Sequence, residues 1–453
     1  MAQPRLVDVQ DVINSHPLSR FQVSVVALCF LVVAIDGFDT AAIGFIAPAL
    51  KANWGATPAQ LAPLFGAGLF GLMLGAFLFG PLADRIGRKS VLVLTTLGFG
   101  AASLASATAG SVEELTLWRF ITGLGLGGAM PSAITLTAEY CPERRRSTLV
   151  TLMFCGFTIG SAVAGLAASQ IVAATGWQGL LVLGGVLPLA LVPVLWLALP
   201  ESARYLTLRE GRSDRIAAML RKIAPAQDFA DVEFARAGRA KGLPVGQLFA
   251  EGRGAGTLFL WLSFFMSLLV FYLLSSWLPL LITGAGWSLG QASLMAALLA
   301  TGGTIGAVAI GRLMDRFEPH RVLAASYFGA AVFILLLGSA AGTPWLLMLG
   351  IFGAGFGVAG SQVGINALAA AYYPTASRAT GVSWANAVGR AGSILGSMVG
   401  GVLLSLGWDL AAVFSVAAVP ALIAAAGILA KGRLRGGAPV AAASIAAMSE
   451  TAA

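Results

Sequence analysis

Mostly apolar stretches of 20 or more residues recur about twelve times along the chain, parted by short polar turns, and residues 200 to 256 are the one long polar interruption. About 20 residues at ~1.5 Å each carry a helix across a ~30 Å hydrocarbon core. The pattern therefore predicts an all-α integral membrane protein with twelve transmembrane helices, at roughly 22-48, 61-83, 90-109, 113-137, 147-173, 178-199, 257-283, 288-311, 321-341, 344-370, 376-404 and 408-430. Residues 1-21 form a polar N-terminal segment. Spans 22-199 and 257-431 make two six-helix halves, 200-256 joins them, and 432-453, rich in Ala, Gly and Ser, reads as a disordered tail.

The halves repeat at an offset of about 231 to 232 residues. Gly80-Pro-Leu-Ala-Asp84-Arg85 aligns with Gly311-Arg-Leu-Met-Asp315-Arg316, and Phe120-x-x-Gly123-x-Gly125 through Tyr140-x-Pro142 aligns with Phe352-x-x-Gly355-x-Gly357 through Tyr372-x-Pro374. Parallel repeats of membrane helices are the architecture of alternating-access carriers, whose site is expected near the bilayer midplane between the halves.

Charge fixes the expected orientation. Of 28 Lys and Arg, 25 fall in segments sharing the side of the N-terminus, Lys51 is alone opposite, and Arg119 and Arg390 lie inside spans. The positive-inside rule then puts both termini and the 200-256 segment in the cytoplasm. The net charge of +8 is thus a topology signal and no sign of nucleic-acid binding. Composition excludes more. Only 11% of residues are charged, against ~25% in soluble domains, so no separate catalytic domain fits. The two His, His16 and His320, are in polar flanks, and no metal site or cofactor is expected. None of the five Lys follows a Gly, so the ATP-binding Gly-Lys-Ser/Thr loop is absent. The glycines at 123, 125, 127 and 128 sit in mid-span rather than after a strand, and read as close helix packing rather than a dinucleotide fingerprint.

Ionisable groups inside a membrane are costly and mark function. Asp36 and Asp39 share a helical face, and helix rise puts Asp39 ~13 Å below the outer end of its span and Arg119 ~10 Å below the start of its own, at matching depth. A purely structural ion pair would also satisfy this spacing. Arg390 lies near the midplane with Ser383 and Asn386 at i, i+3, i+7 spacing, a polar stripe suited to line a cavity, and Gln362 and Asn366 are weaker candidates of the same kind. The repeat duplicates fold-building residues and leaves these charges unduplicated. Glu139 ends span four, where pairing with a nearby Arg or a part in gating is expected. Trp384 is on a span that reaches the centre.

Gly80-Pro-Leu-Ala-Asp84-Arg85-Ile-Gly87-Arg88-Lys89 closely resembles the signature of the major facilitator superfamily, with Asp84 at a helix N-terminus or on an Arg as a gate latch. Asp36-Gly-Phe-Asp39-Thr-Ala-Ala-Ile-Gly-Phe-Ile-Ala-Pro48, Arg119-Phe-Ile-Thr-Gly, Met153-Phe-Cys-Gly-Phe, Pro200-Glu-Ser-Ala-Arg204 and Tyr373-Pro-Thr-x-x-Arg378 make residues 20 to 430 similar to its aromatic acid/proton symporters, most like the 4-hydroxybenzoate/protocatechuate transporters. The resemblance implies the major facilitator fold and proton-driven import of aromatic carboxylates across the inner membrane. It puts Asp36, Asp39, Arg119, Glu139 and Arg390 on the family's functional positions. With the reading of the residues above, Asp36, Asp39 and Glu139 are expected in proton coupling; Arg119, Arg390, Asn386, Ser383, Trp384, Gln362 and Asn366 in substrate binding; and Gly80, Asp84, Arg85, Gly87, Arg88, Asp315 and Arg316 in gating. The second loop departs from the pattern after Arg316, as Phe-Glu-Pro-His320. A carrier of another organic anion, a sugar symporter and a drug/proton antiporter are the alternatives. Buried Arg favours anions over sugars, and Gly156-Phe-Thr-Ile-Gly160-Ser-Ala-Val-Ala-Gly165 lacks the Pro expected of the antiporters.

Overall fold

The computed structural model describes residues 5-209, 213-229, 232-235, 245-250, 252-339, 343-373 and 377-434. Parts of the joining segment, Pro374 of the repeat and the expected tail from 435 onward lie outside the described residues. In chain order the elements are β1 (Arg5–Val7), α1 (Val9–Ser15), α2 (Arg20–Trp54), α3 (Pro58–Ile86), α4 (Arg88–Ser106), α5 (Val112–Tyr140), α6 (Glu143–Ala198), α7 (Ala203–Thr207), α8 (Ser213–Arg221) and β2 (Val232–Phe234). After a 3-10 turn at Val245–Leu248 come α9 (Gly254–Gly284), α10 (Leu289–Arg316), α11 (Pro319–Ser339), α12 (Pro344–Tyr372), α13 (Arg378–Ser405) and α14 (Leu410–Arg433).

Eleven of these helices are long and apolar enough to cross a membrane. The 56-residue α6 would be ~84 Å long if straight, nearly three bilayer cores. It is broken at Gly176, whose φ of 78° and ψ of 177° no helix accommodates. The break falls inside the turn expected between 173 and 178, so α6 supplies two spans and the count reaches twelve. Other helices overrun the apolar windows, because a helix continues until something caps it. The α2 helix starts at a capping box of Ser19 and Gln22 and ends only at Gly55, in the left-handed region at φ 63°.

The chain packs into two units, Met1–Gly55 with Ala67–Ala240, and Ala56–Gly66 with Lys241–Ala453. The repeat is visible inside each. In the first, α2 and α4 lie on α6, while Gly71 and Gly75 of α3 bring that helix against the Phe120 and Leu124 backbone of α5. In the second, α9 packs on α13, α11 on α14, and Gly302 and Gly306 of α10 meet the Phe352 and Phe356 carbonyls of α12. Without a hydrophobic drive between helices in lipid, such small-residue contacts hold the bundle by close backbone packing.

One feature departs from the all-helical expectation. β1 pairs with β2 in parallel, Arg5 opposite Val232 through Val7 opposite Phe234. Val9, Val12 and Ile13 of α1 and Ile216, Ala217, Met219 and Leu220 of α8 are buried in the core of the first unit, with Phe229 and Phe234. Polar composition hid this cap: its apolar residues are few, but amphipathic spacing puts them all on one face.

Candidate functional site

The first unit buries an ion pair. Asp39 and Asp36 of α2 are fully buried and Arg119 of α5 is 3% exposed. Arg119 donates from Nη2 to Asp39 Oδ2 at 2.7 Å, from Nη1 to Oδ1 at 3.0 Å and from Nη2 to the Asp39 carbonyl at 3.2 Å. Ser103 Oγ of α4 adds a donor to Oδ1 at 3.0 Å. A two-pronged guanidinium–carboxylate contact is the strong form of this pair, and it fixes the angle as well as the distance. Asp36 accepts from Thr40 Oγ1 at 3.2 Å. Between the two acids, Gly37 allows α2 onto the Phe157 backbone of α6, where any Cβ would strike the Phe157 carbonyl, and Ser161 Oγ donates to the Gly37 carbonyl at 2.9 Å. That close approach explains the Gly within Asp36-Gly-Phe-Asp39.

In the second unit a chain of polar side chains crosses four helices. Tyr327 OH of α11 donates to Ser267 Oγ of α9 at 2.9 Å, and Ser267 Oγ donates to Gln362 Oε1 of α12 at 2.9 Å. Asn386 Nδ2 of α13 donates to Asn366 Oδ1 at 2.9 Å, and Asn366 Nδ2 to the Gln362 carbonyl at 2.7 Å. Arg390 Nη1 reaches the Tyr272 hydroxyl of α9 at 3.4 Å. Gln362, Asn366, Asn386 and Arg390 are all half-buried. Ser383 and Trp384 stand apart. Ser383 is exposed, and the Trp384 ring stacks on Trp261, centroids 5.9 Å apart and planes at 16°. Ser267 and Tyr327 gave no sequence signal, since a lone hydroxyl in an apolar run is usually bonded within its own helix.

The turn from Gly80 to Lys89 forms a third cluster, in the first unit. Asp84, 71% exposed, pairs with Arg88 at 2.8 Å. Arg88 Nε lies 4.0 Å from Glu139 Oε1, and Glu139 accepts from Ser202 Oγ. The N-terminus of α4 is held by another acid: Glu201 Oε1 accepts the Lys89 backbone N–H at 3.0 Å and that of Ser202 at 2.8 Å. An acid on orphan N–H groups at a helix start offsets the positive end of the dipole. Gly87, at φ 102°, leaves room for that carboxylate, which a Cβ would strike. Tyr205 OH and Arg209 both donate to the Arg85 carbonyl. The helix-terminus task considered for Asp84 is thus done by Glu201, from the Pro200-Glu-Ser segment. Glu139 is twenty residues along α5 from Arg119, ~30 Å of helix rise, so it is not in the Asp39 cluster. In the second unit the exposed side chains of Asp315 and Arg316 make no hydrogen bond or ion pair among the described residues, where Glu318 instead bonds the His320 and Arg321 N–H groups.

Comparison with known proteins adds to this geometry. The model of the Major Facilitator Superfamily matches residues 29–291 and 260–446. The chain is 48% identical over 433 residues to the 4-hydroxybenzoate transporter PcaK of Pseudomonas aeruginosa, covering 94% of this chain and 96% of the relative. It is 45% identical over 433 residues to the gallate transporter of Pseudomonas putida, covering 95% and 96%. Among solved structures, the inward open conformation of the xylose transporter XylE from E. coli superposes with a TM-score of 0.73 at 18% identity, over 92% of this chain and 97% of that one.

Proposed function

Because the chain belongs to the major facilitator superfamily, as a multi-pass membrane transporter and not an enzyme, we propose that it is a symporter that imports hydroxylated aromatic carboxylates such as 4-hydroxybenzoate or protocatechuate together with protons. The observation that carries the coupling is the buried Asp39–Arg119 pair. A carboxylate either holds a proton or holds a guanidinium in this two-pronged way. A proton arriving on Asp39 therefore releases Arg119, and whatever anion then satisfies the basic sites favours the proton by the same factor. Arg390, half-buried on the polar stripe of α13 with the Tyr272 hydroxyl beside it, is the guanidinium that takes the substrate carboxylate. The Glu139–Arg88–Asp84 and Glu201 cluster serves as a latch on the gate, and Asp36 and Glu139 are further candidates for the proton.

Two experiments test this reading. Proteoliposomes loaded at pH 7.5 and diluted to pH 6.5 should accumulate labelled 4-hydroxybenzoate about tenfold per coupled proton, since one pH unit is worth ~1.4 kcal/mol. Protocatechuate and gallate should compete and glucose should not. Uptake that ignores the pH difference, or competition by glucose, would reject it. The charge bias further assigns the termini to the cytoplasm of the inner membrane. A Cys placed at exposed Gly110 should react with an impermeant thiol reagent applied to intact cells with permeabilised outer membranes, and one at exposed Ala226 should not. Of the three native thiols, Cys29 is buried, burial pushes Cys141 up to about 11, and half-buried Cys155 is replaced by Ala in both variants, so no native group competes at neutral pH. Labelling of Ala226→Cys alone would invert the topology.

A further inference from the structure

From the hydrogen-bond chain in the second unit, we propose that Tyr327 and Ser267 are positioning residues that lock the Gln362 amide with its two N–H donors facing the substrate, where they recognise an oxygen on the aromatic ring. This deepens the proposed function and rests on it.

Tyr327 is fully buried and its hydroxyl bonds only Ser267 among the described residues. A phenol in that position must donate, because otherwise its proton is left without an acceptor in an apolar interior. Ser267, itself 1% exposed, is then the acceptor from Tyr327, and its own proton goes to Gln362 Oε1. The Gln362 amide is thereby fixed: Oε1 is held toward α9 and Nε2 is turned away from it. Reversing the amide would turn Nε2 onto Ser267, which already accepts from Tyr327, and leave either the Ser267 proton or the phenol proton without its acceptor. No protein acceptor meets Nε2 among the described residues, although the neighbouring Gln362 carbonyl is taken by Asn366.

Register places these donors relative to Arg390. The consecutive helices α12 and α13 pack side by side in opposite directions, and Asn366 meets Asn386 across them, six residues before the end of α12 and eight after the start of α13. Gln362 and Arg390 are each four residues further from those ends, hence at one level, ~6 Å beyond the Asn pair. The guanidinium of Arg390 leans to Tyr272, five residues past Ser267 on α9, or ~7.5 Å along that helix. On neighbouring helices and at one level, the Arg390 guanidinium takes a ring carboxylate while the Gln362 donors take an oxygen borne by the same ring. The chemistry that fits is a hydroxylated benzoate.

The test is competitive binding of labelled 4-hydroxybenzoate to the full-length protein in detergent, with unlabelled 4-hydroxybenzoate and benzoate as competitors. Tyr327→Phe and Ser267→Ala should each narrow the preference for 4-hydroxybenzoate over benzoate about 5- to 10-fold, the worth of one well-made hydrogen bond, while benzoate affinity stays unchanged. Gln362→Ala should narrow it at least as far, and Ser267→Thr, which keeps the hydroxyl, should restore it. Unchanged benzoate affinity also shows that the variants are folded. If Gln362→Ala weakens both ligands equally, its donors serve the carboxylate and the proposal fails. If Gln362→Ala narrows the preference but Tyr327→Phe and Ser267→Ala do not, the relay does not set the amide and the proposal fails. Failure of the underlying reading looks different: 4-hydroxybenzoate then binds to no variant or to the wild type not at all.

Discussion

Asp39→Asn should leave 4-hydroxybenzoate exchange across proteoliposome membranes within about threefold of wild type, while accumulation driven by a pH difference falls to a ratio of about 1. The substituted amide has the shape of the protonated acid. Its oxygen still accepts from Ser103, whose hydroxyl lies 3.0 Å from Oδ1, so the contact between α2 and α4 survives while Arg119 is released as it is by the proton. The charge that competes between proton and guanidinium is gone, and with it the linkage that converts ~1.4 kcal/mol per pH unit into a tenfold concentration ratio. Asp39→Ala is a harsher change. It removes the acceptors and strands a 3%-exposed guanidinium, a class of change that costs ~3–5 kcal/mol, and should show first as lost protein in the membrane. Exchange and accumulation are measured on the same vesicles, with and without the gradient. Full gradient-driven accumulation by Asp39→Asn would move the proton to Asp36 or Glu139.

Arg390→Ala should weaken 4-hydroxybenzoate binding by about 100-fold or more, the loss of ~3 kcal/mol in hydrogen bonds to a charged group. Arg390→Lys should fall between, near tenfold, because an ammonium keeps the charge and loses the planar fork. Equilibrium binding in detergent separates these effects from transport. The Arg119→Ala comparison is informative because its guanidinium is spoken for by Asp39: it should disturb coupling and stability more than affinity. If affinity ignored both Arg390→Ala and Arg119→Ala, the carboxylate would be bound elsewhere.

Some of this was legible along the chain and some was not. Hydropathy located the spans because lipid imposes one rule on every residue of a window, and Gly176 falls where a turn was expected. The depths of Asp39 and Arg119 could be compared because helix rise is constant, and the two side chains do meet. The same arithmetic gave a stripe on α13 but not its contacts: Asn386 bonds Asn366, Ser383 is exposed, and the Trp384 ring stacks on Trp261. Nor could it find Ser267 and Tyr327, whose meaning comes from partners 95 and 60 residues away. Glu201 was visible only as part of a motif. Its place on the Lys89 N–H at the start of α4 depends on how the chain returns after the sixth span.

The pairing of β1 with β2 also bears on how the chain is made. Residues 5–7 are synthesised before any span of the first unit, but their partners at 232–234 follow only after all six. Until then α1 and the first strand have no docking surface from α8 and β2. Completion of the ladder therefore marks the moment when the first unit has been threaded into the bilayer, and residues made ahead of its first span are among the last of that unit to settle.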